Sequence, residues 1–350
     1  MSLSRPARFP LLKLPFLCIE CVVKSWNVFD IIYFALTSTR ARQIVKHLKI
    51  PLNRIEICLS GRAWIELDDT FRKWHFRNER EKTSTFDKHK NLRKYPLVLQ
   101  ENAEPLYTSE MDCSLVSYTG RNEATAVKLA MEFLNEVFKC SVKAVHIHGS
   151  YFPESGDIGV RFTVHLYILN SSESPSLDYA QGQKLNLLLK NLEVTDTCTF
   201  SMRNTENGFY CDPKLLKCQN VVFWSDSAAW VTREILMQFE VPRLRFFQWA
   251  FSVKDLSLFI ANWFHSDNKT FEHLYIQFQN GQVSLEEFQT EELNPVPFSG
   301  ETRIPLSRSD FIIFKGVDYF KGLEIVRHDG LAATIHANGI TFLFHVWHNQ

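Results

Sequence analysis

The sequence predicts a mixed α+β / α/β protein: a helical N-terminal segment, then alternating helices and strands, then a closing β-meander. Three observations carry this prediction. Apolar residues recur at three- and four-residue spacing between Phe9 and Pro51. From Glu123 to Phe278, helical stripes and alternating strand patterns follow one another. Near the end, Asp329-Gly330 and Asn338-Gly339 punctuate three short alternating runs. The 350 residues suit about two domains at ~150 residues each.

The N-terminal segment reads as three helices. Pro15 suits a helix start, where its missing N–H leaves no bond unmade. Ile19, Val22, Val23 and Trp26 follow at helical spacing. Asn27 caps a second helix, with Asp30 at N3 and a Trp26–Ile31 staple. Thr37 or Ser38 caps a third, striped by Ala41, Ile44, Val45 and Leu48, and Pro51 closes the unit. The second helix is apolar nearly all round, so it needs cover on more than one side. A three-helix unit of this size is too small for a self-sufficient core, so either the rest of this chain, as part of one larger domain, or another protein covers it.

These residues resemble a known family. "FPLLKLPFLCIECVVKSWNVFDIIYFALTSTRARQIVK" is similar to an F-box of the nematode type that precedes a type-2 F-box-associated domain. The Phe-Pro-Leu-Leu lead-in, Leu14-Pro15, Asp30-Ile31-Ile32 and Ser38-Thr39-Arg40 carry the likeness. Phe16 departs from the acidic residue of many F-boxes, and Ala41-Arg42 stand where many others carry tryptophan. The resemblance implies docking on the Skp-type adaptor of a cullin (SCF) ubiquitin ligase. It implies an adaptor-facing set of Leu14, Pro15, Phe16, Ile19, Val22, Val23, Phe29, Ile31, Ile32 and Phe34.

After the helices, Arg54–Asp69 reads as two strands about Ser60-Gly61, with Ile55, Ile57, Leu59 and then Ala63, Ile65, Leu67 alternating. The run from Arg72 to Lys94 is basic and reads as a solvated loop, the alternative being a patch for an acidic partner. Beyond it, "NEATAVKLAMEFLNEVF" is a helix striped by Val127, Ala130, Leu134 and Val137. "SVKAVHIHG" and "RFTVHLYIL" are strands, the latter with Phe162, Val164, Leu166 and Ile168 on one face. A helix in "QKLNLLLKNLEV" feeds the next strand, "NVVFWS" is another, and "SAAWVTREILMQF" reads as a helix capped by Ser225 or Ser227. "RLRFFQWAF", a helix opened by a Ser252/Asp255 capping box and striped by Leu256, Phe259, Ile260 and Trp263, and "FEHLYIQF" complete the series.

Strands at Leu192, Val222, Leu244 and Leu274 lie roughly 20–30 residues apart, a leucine-rich-repeat-like spacing without a strict consensus. With a helix in each gap, the strands are expected to be parallel. The stretch from Trp230 to Phe278 also resembles the type-2 F-box-associated domain, through Ser252-Val253-Lys254-Asp255-Leu256, Asn262-Trp263 and Phe271-Glu272-His273-Leu274. The resemblance implies that this domain presents substrate. The expected organisation is therefore an F-box at 9–50, a strand pair and basic linker at 51–110, the repeat-like domain at 111–290 and the meander at 291–350, the meander pairing with the Arg54–Asp69 strands.

Alternation places His146, His148, His165, Tyr167, Arg245, Phe247, His273 and Tyr275 on the other face of these strands. Solenoids bind on strand-lined faces, and aromatic and Arg side chains dominate interface energy. This row is the candidate substrate-binding surface, the alternative being a solvated sheet face.

Composition narrows the chemistry. Lys+Arg and Asp+Glu both total 39, so no global field gathers polyanions, and nucleic acid is not an expected partner. Lys13, Pro15 and Glu20 interrupt the apolar opening and no cleavage site follows, so neither a signal peptide nor a membrane span is expected. The eight cysteines, sparse over the chain, suit a reducing cytoplasmic or nuclear setting. Cys18 and Cys21 form a CxxC inside the first helix without a second pair, and are expected to be small core residues rather than metal ligands. His146, His148 and His165 are expected to be surface residues of a sheet, not a metal site. No phosphate-binding, nucleophile-elbow or zincin motif occurs. A ubiquitin-accepting Cys140 or Cys198 requires a lowered thiol pKa. The expectation is a non-enzymatic substrate receptor for an unknown protein, with no catalytic residue, cofactor or metal. The alternatives are an F-box scaffold or inhibitor outside the ligase, or an enzyme with an unrecognised site.

Overall fold

The structure is a computed structural model. It describes residues 11–67, 72–78, 95–97, 106–111, 114–119, 122–149, 151–170, 177–202, 208–249, 252–279, 283–298 and 322–348. The fold is mixed α/β, and the chain divides into two compact units. One is Met1–Val145 with Asp157–Val160; the other is His146–Gly156 with Arg161–Gln350.

The first unit opens with three helices: α1 (Phe16–Lys24), α2 (Val28–Thr37) and α3 (Thr39–Leu48). Their starts follow the sequence signals. Pro15 precedes α1. The Asn27 side chain accepts from the Phe29 and Asp30 N–H groups, and Ser38 accepts from the Ala41 N–H, each satisfying donors that a helix start leaves bare. Trp26 meets Phe34 edge-on, with ring centroids 5.4 Å apart, one turn beyond the expected staple partner. Ile19, Val23, Ile32, Ala35, Ala41 and Val45 form the buried seam.

The rest of this unit comprises β1 (Pro51–Leu59), β2 (Trp64–Leu67), β3 (Arg72–Asn78), β4 (Tyr95–Leu97), β5 (Leu106–Met111), β6 (Ser114–Thr119), α4 (Glu123–Val137) and most of β7 (Lys139–His148). β1 and β2 form the expected hairpin, with Ile57 opposite Ile65. β3 joins it antiparallel, and β6 then pairs parallel to β3. The expected basic loop is thus in part a strand. Trp74 and Phe76 are fully buried, and the Trp74 indole N–H donates to Ser117 Oγ at 2.8 Å. Two buried aromatics at i and i+2 outweigh three flanking cations. Those cations stay near the surface, Lys73 lying 3.7 Å from the Trp64 ring and 3.3 Å from the Glu66 carboxylate. The remainder of the basic run, Arg80 to Lys94, lies outside the described residues.

α4 packs on β3 and α3, and so belongs with the N-terminal unit rather than with the repeat-like domain. Its predicted stripe is buried, as are Ala126, Met131 and Phe133. Arg42 of α3 lies over the Phe133 ring at 5.3 Å and reaches Glu136 at 3.8 Å. A helix apolar on two sides fills the space between strands and bundle, which moves the boundary from about residue 110 into β7.

The second unit contains β8 (Phe162–Asn170), α5 (Tyr179–Asn191), β9 (Glu193–Met202), β10 (Asn220–Phe223), α6 (Arg233–Leu236), β11 (Arg243–Trp249), α7 (Val253–Phe264), β12 (His273–Phe278), β13 (Val296–Pro297), β14 (Leu323–Val326), β15 (Ala332–Asn338) and β16 (Thr341–Trp347). β8 to β12 are parallel and adjacent in chain order. The meander forms as expected, with Gly330 and Gly339 at positive φ in its turns. It pairs through β16 with β12, antiparallel, and not with the β1–β2 hairpin. β16 reproduces the buried pattern of β12: Leu274 faces Phe344, and Ile276 faces Phe342.

Two local readings are corrected. The single helix expected after β10 is broken into a 3-10 turn, Ser225–Ala228, and the one-turn α6. Ser227 is buried, with its hydroxyl accepting the Met202 N–H at 2.8 Å, which stops the turn, and Thr232 caps α6 afresh. In β8, Phe162 and Val164 are exposed because the register with β9 shifts between Thr163 and His165, turning Thr163 inward. The α7 capping box and stripe are as expected. Among the described residues, helices of ordinary length fill two of the gaps between the parallel strands. The gap before β10 holds the 3-10 turn Pro213–Leu215.

Candidate interaction surfaces

In the first unit the bundle's first helix is incompletely covered. Phe16 is 46% exposed and Leu17 71%. Pro15, Cys18 and Cys21 are exposed, and Leu14, Val22 and Phe34 are half-buried. The other residues of the expected adaptor-facing set are turned inward: Ile19, Val23, Phe29, Ile31 and Ile32 are buried. Helical periodicity explains the split, since the strongest apolar stripe closes the bundle and leaves the weaker flank to solvent. Of the expected set, Leu14, Pro15, Phe16, Val22 and Phe34 are the members at least partly exposed. Leu17, Cys18 and Cys21 are exposed as well, and a CxxC expected in the core is instead at the surface. A cleft of about 420 Å³ is lined by Lys24, Trp26, Val28, Ile31, Leu48 and Leu52.

In the second unit the strand register places His165, Tyr167, Arg245, Phe247, His273 and Tyr275 on one sheet face, and His146 joins it by stacking on Tyr167. His165 lies opposite Thr197 and Tyr167 opposite Thr199. Thr199 faces Val222, Val222 faces Arg245, and Arg245 faces Tyr275. The opposite face carries Phe200, Phe223 and Phe246, stacked at 4.9 and 4.8 Å and fully buried.

The eight residues are unequally accessible. Arg245, His273 and Tyr275 are buried, so these three are not open to a partner. Arg245 Nε–H donates to His273 Nε2 at 3.1 Å, which requires that ring nitrogen to be unprotonated. Burial, and then Arg245, His345 and Arg243, hold the His273 pKa well below 6.5. Burial raises Tyr275 above its usual value.

Two accessible patches remain. In one, the His146 ring stacks on Tyr167 at 4.7 Å, and His165 lies beside Tyr167 at 6.2 Å. His165 Nδ1 is 3.4 Å from Asp196, whose carboxylate accepts from Asn220 at 3.2 Å and Thr197 at 3.0 Å. His148 is exposed, and the desolvation it does suffer lowers its pKa. In the other patch, Trp224 lies flat on Phe247 at 4.1 Å and is 46% exposed. Ser225 and Gln248, each following one of these aromatics, are at φ 51 and 64. Non-glycine residues in that region hold strain that surrounding structure must enforce. Sequence reading missed Trp224; alternation continued two residues past Val222 points to it.

Cys140 and Cys198 are unsuited to acyl transfer. Burial pushes Cys140 up to about 12 and Cys198 well above its ordinary value, the reverse of an activated nucleophile. Among the described residues, no group of three or more His, Cys, Asp or Glu side chains is placed to hold a metal ion. No described helix is long and apolar enough to cross a membrane. Scans of the chain against protein-family models, curated proteins and solved structures find no match.

Proposed function

We propose that this chain is an F-box substrate receptor of an SCF-type cullin ubiquitin ligase. The reading rests on the F-box resemblance of residues 9–46. One observation supports it most: α1 closes the bundle with Ile19 and Val23 yet leaves Phe16 and Leu17 uncovered. The adaptor takes that flank, together with Leu14, Pro15, Val22 and Phe34. The second unit, a degenerate leucine-rich-repeat-like sheet on this reading, holds the substrate protein through the His146–Tyr167 and Trp224–Phe247 patches. Ubiquitin transfer is then promoted by proximity, through a raised local concentration of substrate lysines near the charged conjugating enzyme.

Purified full-length chain and a Skp-type adaptor provide the test. Leu17→Glu and Phe16→Glu each weaken binding by at least about 30-fold, the loss of a ~2 kcal/mol anchor. Lys46→Glu, on the far side of α3, leaves binding unchanged. No adaptor binding by the unaltered chain, or full binding by the two α1 variants, refutes the proposal. Substrate stabilisation on depletion then separates a ligase role from a scaffold or inhibitor.

A further inference from the structure

Cys18 and Cys21 are free and exposed on α1, while Cys58, Cys198, Cys211 and Cys218 are buried. On a helix that rises ~1.5 Å and turns ~100° per residue, Cα atoms three residues apart are about 5 Å from each other. That is inside the ~4.4–6.8 Å range bridged by disulfides. Their Cβ atoms, on a wider cylinder, are about 5.5 Å apart, against ~3.5–4.5 Å in a relaxed bridge. Closure therefore tightens the second turn of α1 by about 1 Å or more. Exposed and strained disulfides are the easily reduced, reversible kind. On its surface this turn carries the Glu20–Lys24 ion pair at 2.7 Å, and its inner residues are Ile19 and Val23.

We propose that Cys18 and Cys21 form a reversible dithiol–disulfide site for small disulfides of the oxidised-glutathione class. One protein thiolate attacks a sulfur of the oxidant, breaking its S–S bond, forming a mixed disulfide and releasing one small thiol. The second protein thiolate attacks the protein-bound sulfur of that mixed disulfide, closes the Cys18–Cys21 bond and releases the second small thiol. The protein pair gives up two electrons and two protons, and the oxidant becomes two thiols. Leu17 lies one turn before Cys21, so closure deforms the exposed flank. On the docking reading above, on which this consequence rests, the oxidised chain binds adaptor more weakly.

Trypsin releases both cysteines in one peptide, Leu14–Lys24. Full-length protein is equilibrated with oxidised glutathione, alkylated and digested. The expected peptide is about 2 Da lighter than the dithiol form, carries no alkyl group, and reverts with excess reduced glutathione. Cys18→Ser and Cys21→Ser each retain one glutathione on the remaining thiol. Two alkylated thiols, or two retained glutathiones, in the unaltered chain overturn the proposal. Adaptor affinity is expected to fall about tenfold on oxidation, and not in the Cys18→Ser/Cys21→Ser double variant. Equal affinity of both redox forms overturns the regulatory consequence. Absence of binding by the reduced chain, with the disulfide still forming, overturns the docking reading instead.

Discussion

Phe223 is the centre of an aromatic column, and truncating it tests how the second unit is held together. It is fully buried, with Phe200 and Phe246 stacked on either side at 4.9 and 4.8 Å. Trp230 and Phe239 approach edge-on at 6.0 and 6.1 Å. Replacing a buried Phe by Ala costs about 3–5 kcal/mol through lost burial and the cavity left behind. Aromatic pairs contribute ~0.5–1.5 kcal/mol each beyond area. With four such partners, Phe223→Ala falls at the upper end, about 5 kcal/mol. For a unit of roughly 200 residues each kcal/mol moves Tm by ~2–4 °C, so the expected drop is about 10–20 °C. Urea unfolding followed by near-UV circular dichroism reports directly on these rings. Phe223→Leu keeps most of the volume and loses about 1–2 kcal/mol, giving a measurable variant if the alanine form does not fold. An alanine variant within about 1 kcal/mol of the parent refutes the column as the unit's organising core.

Further predictions follow from other sites. Gly182 lies on the inner side of α5, where an added Cβ meets the Tyr210 carbonyl oxygen at 2.4 Å; Gly182→Ala therefore destabilises by about 1–3 kcal/mol despite alanine's better helix propensity, and a gain in Tm rejects that close approach. His273 has a folded pKa depressed below 6.5, so its contribution is present above about pH 6.5 and is lost as pH falls through the folded value. The urea midpoint of the second unit should decline below pH 6.5, and His273→Gln, which keeps an acceptor for Arg245, should flatten that decline; an unchanged slope rejects the assignment. On the proposed receptor reading, Tyr167→Ala with Trp224→Ala should abolish capture of a substrate protein while adaptor binding stays at parental strength, and intact capture retires the sheet face as the substrate site.

The mixed fold class, the three N-terminal helices with their Asn27 and Ser38 caps, the β1–β2 hairpin, the α7 capping box and the C-terminal hairpin turns were legible in sequence. Each depends on residues within a few positions of one another, and short-range hydrogen bonding and side-chain periodicity suffice to specify it. The shared face of His146, His165, Tyr167, Phe247 and Tyr275 was legible too, because alternation is a property of each strand alone.

What lay beyond the sequence was which surfaces meet. Trp74 and Phe76 make a strand of a segment whose charges read as loop, since burial of two rings against Ser117 and its neighbours is a long-range event. Cys18 and Cys21 are exposed because Ile19 and Val23, not they, complete the bundle. Arg245, His273 and Tyr275 share the predicted face yet are withdrawn from solvent. Local pattern determines the direction in which a side chain leaves the backbone. Only the assembled chain decides whether water, or another part of the molecule, is waiting there.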